Sequence, residues 1–345
     1  MKKIISLLLV FVMVVTLVGC SGSKGTAANS TLTSSANPAP AKKDDMEIAV
    51  VLMALNQDYW HLIEAGANSA AQELGIKVKV VGPPVETDVA AQISLIEDCI
   101  NSGCAGMVLA PTNPSTVGPA LKIAKDDGIP IVCVDSDLDA SIADDLRLTF
   151  IGSSETEGGQ LVGEYLVKNY SPDTVVGVIR GPLGAVSHNE RVKGCQDIAE
   201  SKGFKFADIQ DGQCDRALAM NVCENMLEGH PEIKVLYCTN DEMAAGAYQA
   251  CVDKGREDID IIGYDGSPDC LGLIKDGKVT GTLAQSPFDM GYEAVKILYD
   301  TVKNGKFAGE STTLIKTQVI DKSNAVEYLD SLRTKITNAI GKCWF

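Results

Sequence analysis

VLYCTND, residues 235–241, is an apolar run that ends in polar residues where a helical pattern begins. The same succession recurs along the chain, and apolar residues between the runs fall at helical spacing, as at Ile93, Ile96 and Ile100. The candidate strands are Glu47-Met53, Lys77-Val81, Gly106-Ala110, Ile129-Asp135, Leu148-Ser153, Thr174-Arg180, Phe204-Asp211, Val235-Thr239, Ile259-Tyr264, Val279-Gln285 and Thr312-Ile320. Most are apolar on both faces, which is typical of parallel strands covered by helices. The pattern predicts an α/β fold of doubly wound parallel sheets.

The first twenty residues have the features of a bacterial lipoprotein signal. Lys2 and Lys3 precede an apolar run over residues 4–18, which is shorter than the roughly 20 residues that a spanning helix needs. Leu17-Val18-Gly19-Cys20 matches a lipobox, in which cleavage leaves a diacylated cysteine. Two acyl chains anchor a protein stably. We therefore expect a signal peptide over 1–19, a lipid on Cys20, a disordered tether over 20–45, and a location on the extracytoplasmic face of the cell membrane.

Length and charge narrow the class of protein. The chain has 345 residues, which is more than one domain core usually supports once signal and tether are removed, so two lobes are expected. Its formal net charge is -16, and cleavage of Lys2 and Lys3 would make the mature chain more negative. Such a surface repels nucleic acid. We expect a monomer that binds no nucleic acid.

Motifs for catalysis and for metal binding are missing from the sequence. No nucleotide-binding glycine loop, zinc-protease motif or hydrolase nucleophile motif is present. The ten cysteines beyond Cys20 show no metal-ligand spacing, and most fall in apolar runs typical of buried thiols. The sequence therefore predicts no enzyme activity, no catalytic residue, no cofactor and no metal.

Polar residues follow the predicted strands where each strand ends. In open parallel sheets, ligands bind beyond the carboxyl ends of the strands. The residues at such ends are Gln57, Tyr59 and Trp60 after the first strand, and Asp135, Arg180, Asn240, Tyr264, Asp265 and Gln285 at later ones. Carboxylates, amides and aromatic faces together suit a neutral polyhydroxylated ligand.

Three motifs resemble those of the type I periplasmic sugar-binding proteins, ribose binders most of all. They are TNDEMAAGA at 239–247, GYDGSPD at 263–269 and LAQSP at 283–287, and the likeness runs from about Glu47 to Val319. The resemblance implies a solute-binding lipoprotein of an ABC importer that binds a monosaccharide or polyol between two lobes and delivers it to the permease.

The resemblance also assigns individual site residues. Tyr59 and Trp60 would sandwich the sugar ring, and Gln57 would replace an asparagine. The matched positions that would contact sugar hydroxyls or the hinge are Asp135, Asn240, Tyr264, Asp265 and Gln285. Asp241 is expected to cap the following helix rather than to bind ligand.

Several positions depart from the ribose-binder pattern. Ser136 and Asn189 stand where two arginines are usual, Met53 where a serine is usual, and Cys214 where a phenylalanine is usual. Buried carboxylates without cationic partners are costly, so we expect Arg180 or Arg191 to compensate. Glu86, Asp88, Asp137 and His188 lie on loops that could also reach the cleft. These departures put ribose itself in doubt.

The resemblance sets the domain boundaries through a three-crossing hinge near Ser153, Gln285-Ser286 and Lys316-Gln318. The N-terminal lobe would comprise 46–153 plus 286–316, and the C-terminal lobe 154–285 plus 317–345. The last part, from about residue 321, extends past the family's usual end. Ala325, Leu329, Leu332 and Ile336 have helical spacing there, which predicts a docked helix.

Three alternatives share this fold. A nucleoside-binding lipoprotein would need a larger aromatic slot for the base. A sensory binding protein for a receptor kinase or chemoreceptor would have an identical sequence pattern. A sugar-responsive repressor would carry an N-terminal helix-turn-helix, where this chain has a signal peptide.

Overall fold

A computed structural model describes residues 46–345, which form two six-stranded sheets covered by helices. The strands are β1 Glu47–Val51, β2 Lys77–Val81, β3 Gly106–Leu109, β4 Ile131–Val134, β5 Thr149–Gly152, β6 Val175–Arg180, β7 Lys205–Asp211, β8 Val235–Cys238, β9 Asp260–Asp265, β10 Gly281–Ala284, β11 Thr312–Leu314 and β12 Gln318–Asp321. The predicted signal peptide and tether lie outside the described residues.

Helices follow most of the strands along the chain. They are α1 Asp58–Leu74, α2 Val89–Asn101, α3 Gly118–Asp126, α4 Ala140–Leu146, α5 Glu155–Asn169, α6 Val186–Glu200, α7 Arg216–Gly229, α8 Asp241–Asp253, α9 Pro268–Lys275, α10 Pro287–Asn304 and α11 Ala325–Ile340. Within residues 46–345, no helix is both long enough and apolar enough to cross a membrane.

Each sheet belongs to one lobe. The N-terminal lobe has strand order β11-β5-β4-β3-β1-β2, and the C-terminal lobe has order β12-β10-β9-β8-β6-β7. The paired strands are parallel except for β12, which runs antiparallel to β10. Two doubly wound α/β lobes were predicted, and this fold class is confirmed.

The central strands are buried on both faces, as their apolar sequences require. Every residue of β3, β4 and β8 is buried, whereas the edge strands β2 and β7 are partly exposed. Burying a Val, Leu or Ile side chain contributes about 1.5–3 kcal/mol, so these strands account for much of the stability of each lobe. The ten cysteines in the described part of the chain are unpaired, and all but Cys343 are buried.

One predicted strand proved to be two. The run Thr312-Ile320 was expected to be continuous, but β11 lies in the N-terminal lobe and β12 in the C-terminal lobe. Both halves have β-forming sequences, so local pattern alone could not reveal the change of sheet between them.

The chain passes between the lobes three times. The crossings follow β5, β10 and β11, at residues 153–154, 285–286 and 315–317. Ser153 Oγ and Gln285 Oε1, which belong to two of these crossings, are buried in this structure without a hydrogen-bond partner. A buried polar atom without a hydrogen bond lowers the stability of the folded protein. At these two positions, a change of conformation could give the atom a hydrogen-bond partner.

The C-terminal segment, defined here as residues 325–345, contains the predicted helix and reaches both lobes. Ala325 and Leu329 of α11 belong to the apolar core of the C-terminal lobe. Ile336, further along the same helix, is fully buried against Leu62 and Phe288 of the N-terminal lobe. The segment was assigned to the C-terminal lobe alone, and the structure shows that it joins the two.

Candidate functional site

The carboxyl ends of the strands of both sheets face one cavity of about 200 Å³ between the lobes. Its walls include Met53, Gln57, Tyr59, Trp60, Glu86, Thr112, Asn113, Asp135 and Ser136 from the N-terminal lobe and His188, Arg191, Asn240 and Asp265 from the C-terminal lobe. The site therefore lies beyond the carboxyl ends of the strands, where open parallel sheets bind their ligands.

Two aspartates, one from each lobe, occupy unusual backbone conformations at this edge. Asp135 follows β4 with φ 63°, and Asp265 ends β9 with φ 127°. Aspartate tolerates positive φ better than most residues, yet the conformation still costs free energy. Such strain clusters at functional sites, and here it turns the chain where two carboxylates meet the cavity.

Tyr59 and Asp135 form a buried pair. The Tyr59 hydroxyl donates to Asp135 Oδ1 at 2.5 Å. Burial and the nearby Glu155 carboxylate raise the pKa of Asp135 to about 7, although Arg191 and the Tyr59 hydroxyl act in the opposite direction. Asp135 therefore lies in an environment that favours its protonated form more than water does.

Trp60 and Tyr59 do not form the expected sandwich. Their ring centroids are 5.1 Å apart with planes at 88°, so the edge of one ring contacts the face of the other. Consecutive helical residues point about 100° apart, which prevents their rings from facing each other across a ligand. Trp60 Nε1 instead donates to Glu86 Oε1 at 2.8 Å. The two rings form one corner of the wall.

Arg191 is the cation that faces the aspartates. Its guanidinium donates to both oxygens of Glu155, at 2.6 and 3.2 Å, and to the Thr239 carbonyl at 2.8 Å. It also lies 3.7 Å from Asp265 Oδ1 and 3.8 Å above the Tyr264 ring. Burial alone would lower the pKa of Arg191, but the Glu155 carboxylate holds it well above its ordinary value.

Asp265 has a second partner at the hinge. Gln285 Nε2 donates to Asp265 Oδ1 at 3.0 Å, and the Tyr328 hydroxyl donates to the Gln285 carbonyl at 3.2 Å. Burial raises the pKa of Asp265 well above its ordinary value, while Arg191 opposes that rise. Asp265 is therefore held by Arg191 and by Gln285, which belongs to one of the three chain crossings.

His188 forms part of the opposite wall, and Cys214 lies behind it. His188 Nε2 lies 3.3 Å from Cys214 Sγ, and His188 Nδ1 lies 2.7 Å from Thr239 Oγ1. Gln57 of the N-terminal lobe donates across the cleft to the Cys214 carbonyl at 3.2 Å. Burial lowers the pKa of His188 well below its ordinary value, and Arg191 and Arg180 add to that effect.

A family model described as a periplasmic binding protein domain matches residues 48–306. The chain belongs to this family. It is 30% identical over 259 residues to the ribose import binding protein of Salmonella typhimurium, covering 75% of this chain and 86% of that protein. It is 32% identical over 243 residues to the D-ribose/D-allose-binding protein of Pseudomonas aeruginosa, covering 69% and 76% of the two chains.

A solved structure agrees with this assignment. A periplasmic solute-binding protein of an ABC transporter from Actinobacillus succinogenes, with bound D-allose, matches at TM-score 0.77 and 25% identity, covering 82% of this chain and 100% of that one. Membership of the periplasmic binding protein family makes the chain a solute-binding transport component and not an enzyme, and it places the chain outside the cytoplasm.

Nine of the predicted site residues line the cavity of this periplasmic binding protein domain, and six do not. The nine are Gln57, Tyr59, Trp60, Asp135, Ser136, His188, Arg191, Asn240 and Asp265. Tyr264, Gln285 and Cys214 lie behind the wall and contact the wall residues Arg191, Asp265 and His188 respectively.

Asn189, Asp137 and Arg180 are corrections to the predicted site. Asn189 is exposed on α6 and donates to the Leu183 carbonyl, because the face of α6 that meets the cavity carries His188 and Arg191. Asp137 accepts two hydrogen bonds from Arg147 outside the cavity. Arg180 donates to the carbonyls of the loop after β6 and compensates neither aspartate.

The helix cap at α8 is also a correction. Asn240, not Asp241, is the N-cap, and its Oδ1 accepts from the Met243 N–H at 2.9 Å. Asp241 is the first helical residue, and its carboxylate accepts from the Ser267 N–H and the Thr282 hydroxyl, both at 2.7 Å. Asp241 thus holds the loop after β9 and does not line the cavity.

Sequence reasoning missed Glu155, Thr112 and Asn113. Thr112 and Asn113 follow β3, so the strand-end rule applied to that strand would have found them. Glu155 begins α5, where an acidic residue is ordinarily explained by the helix dipole. Its burial and its hydrogen bonds from Arg191 and from the Tyr264 hydroxyl distinguish it from a surface residue.

Proposed function

We propose that this chain is the solute-binding component of an ABC importer, and that it carries one monosaccharide or polyol to the permease. The observation that carries the proposal is the cavity itself, where the Asp135 and Asp265 carboxylates and the Asn240 amide lie beside two aromatic rings. The relatives named for ribose, D-ribose and D-allose support the same class of ligand.

The polar groups match the chemistry of a sugar. A hydroxyl group donates one hydrogen bond and accepts others, so it can pair with a carboxylate and with a guanidinium or an amide in turn. Asp135 and Asp265 supply acceptors, while Arg191 and Asn240 supply donors. The Tyr59 and Trp60 corner supplies apolar surface for the C–H groups of the ring.

Delivery requires that the lobes open and close. Three crossings join the lobes, and closure about them buries the ligand and creates an outer surface that only the loaded form presents. We further propose that the protein is a monomer held on the extracytoplasmic face of the cell membrane by a lipid on Cys20.

Thermal unfolding against a ligand panel tests this function. The purified protein is heated with pentoses, hexoses, polyols and nucleosides in turn. A ligand present at 100 times its Kd adds about 2.7 kcal/mol, which raises the melting temperature by several degrees. We expect at least one sugar or polyol to do so. A shift with a nucleoside, and with no sugar or polyol, would overturn the proposal.

A pair of isosteric variants locates the site. Asp265→Asn removes the carboxylate but keeps a side chain that tolerates positive φ, so the fold is preserved while the ligand shift is lost. Asp269→Asn, on the exposed start of α9, is the matched control and keeps the shift. Equal shifts in both variants would place the ligand elsewhere.

A further inference from the structure

Three potential metal ligands converge at the cavity from distant parts of the chain. Glu86 lies in the loop after β2, His188 on α6, and Cys214 in the loop after β7. Their ligand atoms all lie within 4.8 Å of one another, and Cys214 Sγ is 3.3 Å from His188 Nε2. Their wide separation in sequence explains why no metal-ligand spacing was recognisable there.

The donor set has the chemistry of a zinc site. Zn²⁺ prefers thiolate, imidazole and carboxylate ligands in tetrahedral arrangement, and sites that exchange ligands use three protein groups with one open position. Glu86 and Cys214 would supply two negative charges against the two positive charges of the ion. Glu86 and His188 line the cavity, so an ion held by them would lie at its wall.

Neighbouring residues orient two of the three groups. Thr239 Oγ1 accepts from the Gly181 N–H at 3.1 Å and lies 2.7 Å from His188 Nδ1, so Nε2 is the nitrogen directed at Cys214. Trp60 Nε1 holds one oxygen of Glu86 at 2.8 Å. Hydrogen bonds of this kind to metal-binding side chains fix ligand orientation and raise metal affinity.

We propose that Glu86, His188 and Cys214 form a zinc site that joins the two lobes and leaves one coordination position open to the cavity. Glu86 belongs to the N-terminal lobe and the other two ligands to the C-terminal lobe, so the ion favours the closed arrangement. A hydroxyl of the bound solute occupies the open position. Metal binding itself does not depend on the proposed transport function.

The test uses Zn²⁺ and Co²⁺ alone, with no sugar present. The purified protein is stripped with a chelator, dialysed against Zn²⁺ and assayed for bound metal, and Co²⁺ is followed through its thiolate charge-transfer absorption. We expect one equivalent of metal in the wild type and in the control Cys343→Ser, whose thiol lies in the C-terminal segment. In Cys214→Ser we expect neither the bound equivalent of metal nor the Co²⁺–thiolate absorption.

Glu86→Gln examines the ligand from the other lobe. Its amide oxygen can still accept from Trp60, so the variant is expected to fold, while Zn²⁺ affinity falls by more than about tenfold. Small-angle scattering should show Zn²⁺ compacting the wild type but not Glu86→Gln. The proposal is overturned if the wild type binds no equivalent, or if Cys214→Ser and Glu86→Gln both bind metal as the wild type does. A failed sugar panel would leave these results unchanged.

Discussion

The two lobes meet through two contacts of opposite chemistry. Across the cleft the contact is polar, as where Gln57 Nε2 donates to the Cys214 carbonyl. Along the C-terminal segment the buried part of the contact is apolar, because Ile336 packs against Leu62 and Phe288, and an exposed Lys335–Asp289 ion pair lies beside it. Polar groups that separate regain hydrogen bonds from water, whereas separated apolar surfaces cost about 25 cal/mol per Å². We therefore expect the cleft to be the side that opens and the C-terminal contact to be the side that persists.

The largest loss in the free energy of unfolding is expected when the positive charge in the cleft is removed. Arg191→Met leaves Glu155 and Asp265 buried without their cationic partner, and breaking a buried ion pair in this way costs about 3–5 kcal/mol. Urea denaturation followed by tryptophan fluorescence measures the loss. Adding Glu155→Gln to the variant should recover part of it, because the uncompensated charge is then removed.

A matched control lies on the same helix. Lys193 is exposed and pairs with exposed Asp197, so Lys193→Met should change the free energy of unfolding by no more than about 0.5 kcal/mol. If Arg191→Met proved as mild as Lys193→Met, the ion-pair description of the cleft would be wrong.

The apolar contact is tested by Ile336→Ala. The substitution leaves a cavity between the C-terminal segment and the N-terminal lobe, and burial of this type of side chain predicts a loss of about 2–5 kcal/mol. Val326→Ala, at an exposed position of the same helix, should cost less than about 0.5 kcal/mol. Equal losses in the two variants would show that the segment does not hold the lobes together.

The last effect depends on pH and is expected from the protonation of Asp135, which belongs to the polar contact of the cleft. The folded-state pKa is raised from 3.8 to about 7, in surroundings that include Tyr59, Glu86, Glu155 and Arg191. The unfolded chain therefore ionises first as pH rises, and the free energy of unfolding falls between about pH 4 and pH 7.

Asp135→Asn isolates this contribution. The variant should show a smaller decline over the same pH range, measured by urea denaturation at each pH. A decline as steep as that of the wild type would assign it to other groups, Asp265 first among them because its pKa is raised in the same direction.

The strand and helix pattern predicted the fold because each buried strand is apolar on both faces. The failure at Thr312-Ile320 had a physical cause, since pairing partners are set by tertiary contacts and not by the local sequence. The C-terminal helix was predicted from its apolar spacing, but its contact with both lobes was not, because spacing shows which residues are buried and not what covers them.

The site was predictable where a residue directly follows a buried strand, as Asp135 and Asn240 do. Arg191 was one of the two expected cations, but its principal partner Glu155 was not predictable, since the pair joins two helices that are separate in sequence. Asn189 failed for a related reason, because a position shared with a family does not fix which face of a helix meets the cavity.

The position of β11 in the sequence determines when the sheet of the N-terminal lobe can be completed during synthesis. It completes the sheet of the N-terminal lobe by pairing with β5, yet it lies near the end of the chain, and β12 follows it to complete the other sheet. Neither lobe can complete its sheet until the chain has been synthesised through β11 and β12. A chain that stops before residue 312 would expose an unpaired edge on both sheets at once, which invites aggregation. The order of the strands therefore makes the two lobes complete their folding at nearly the same time.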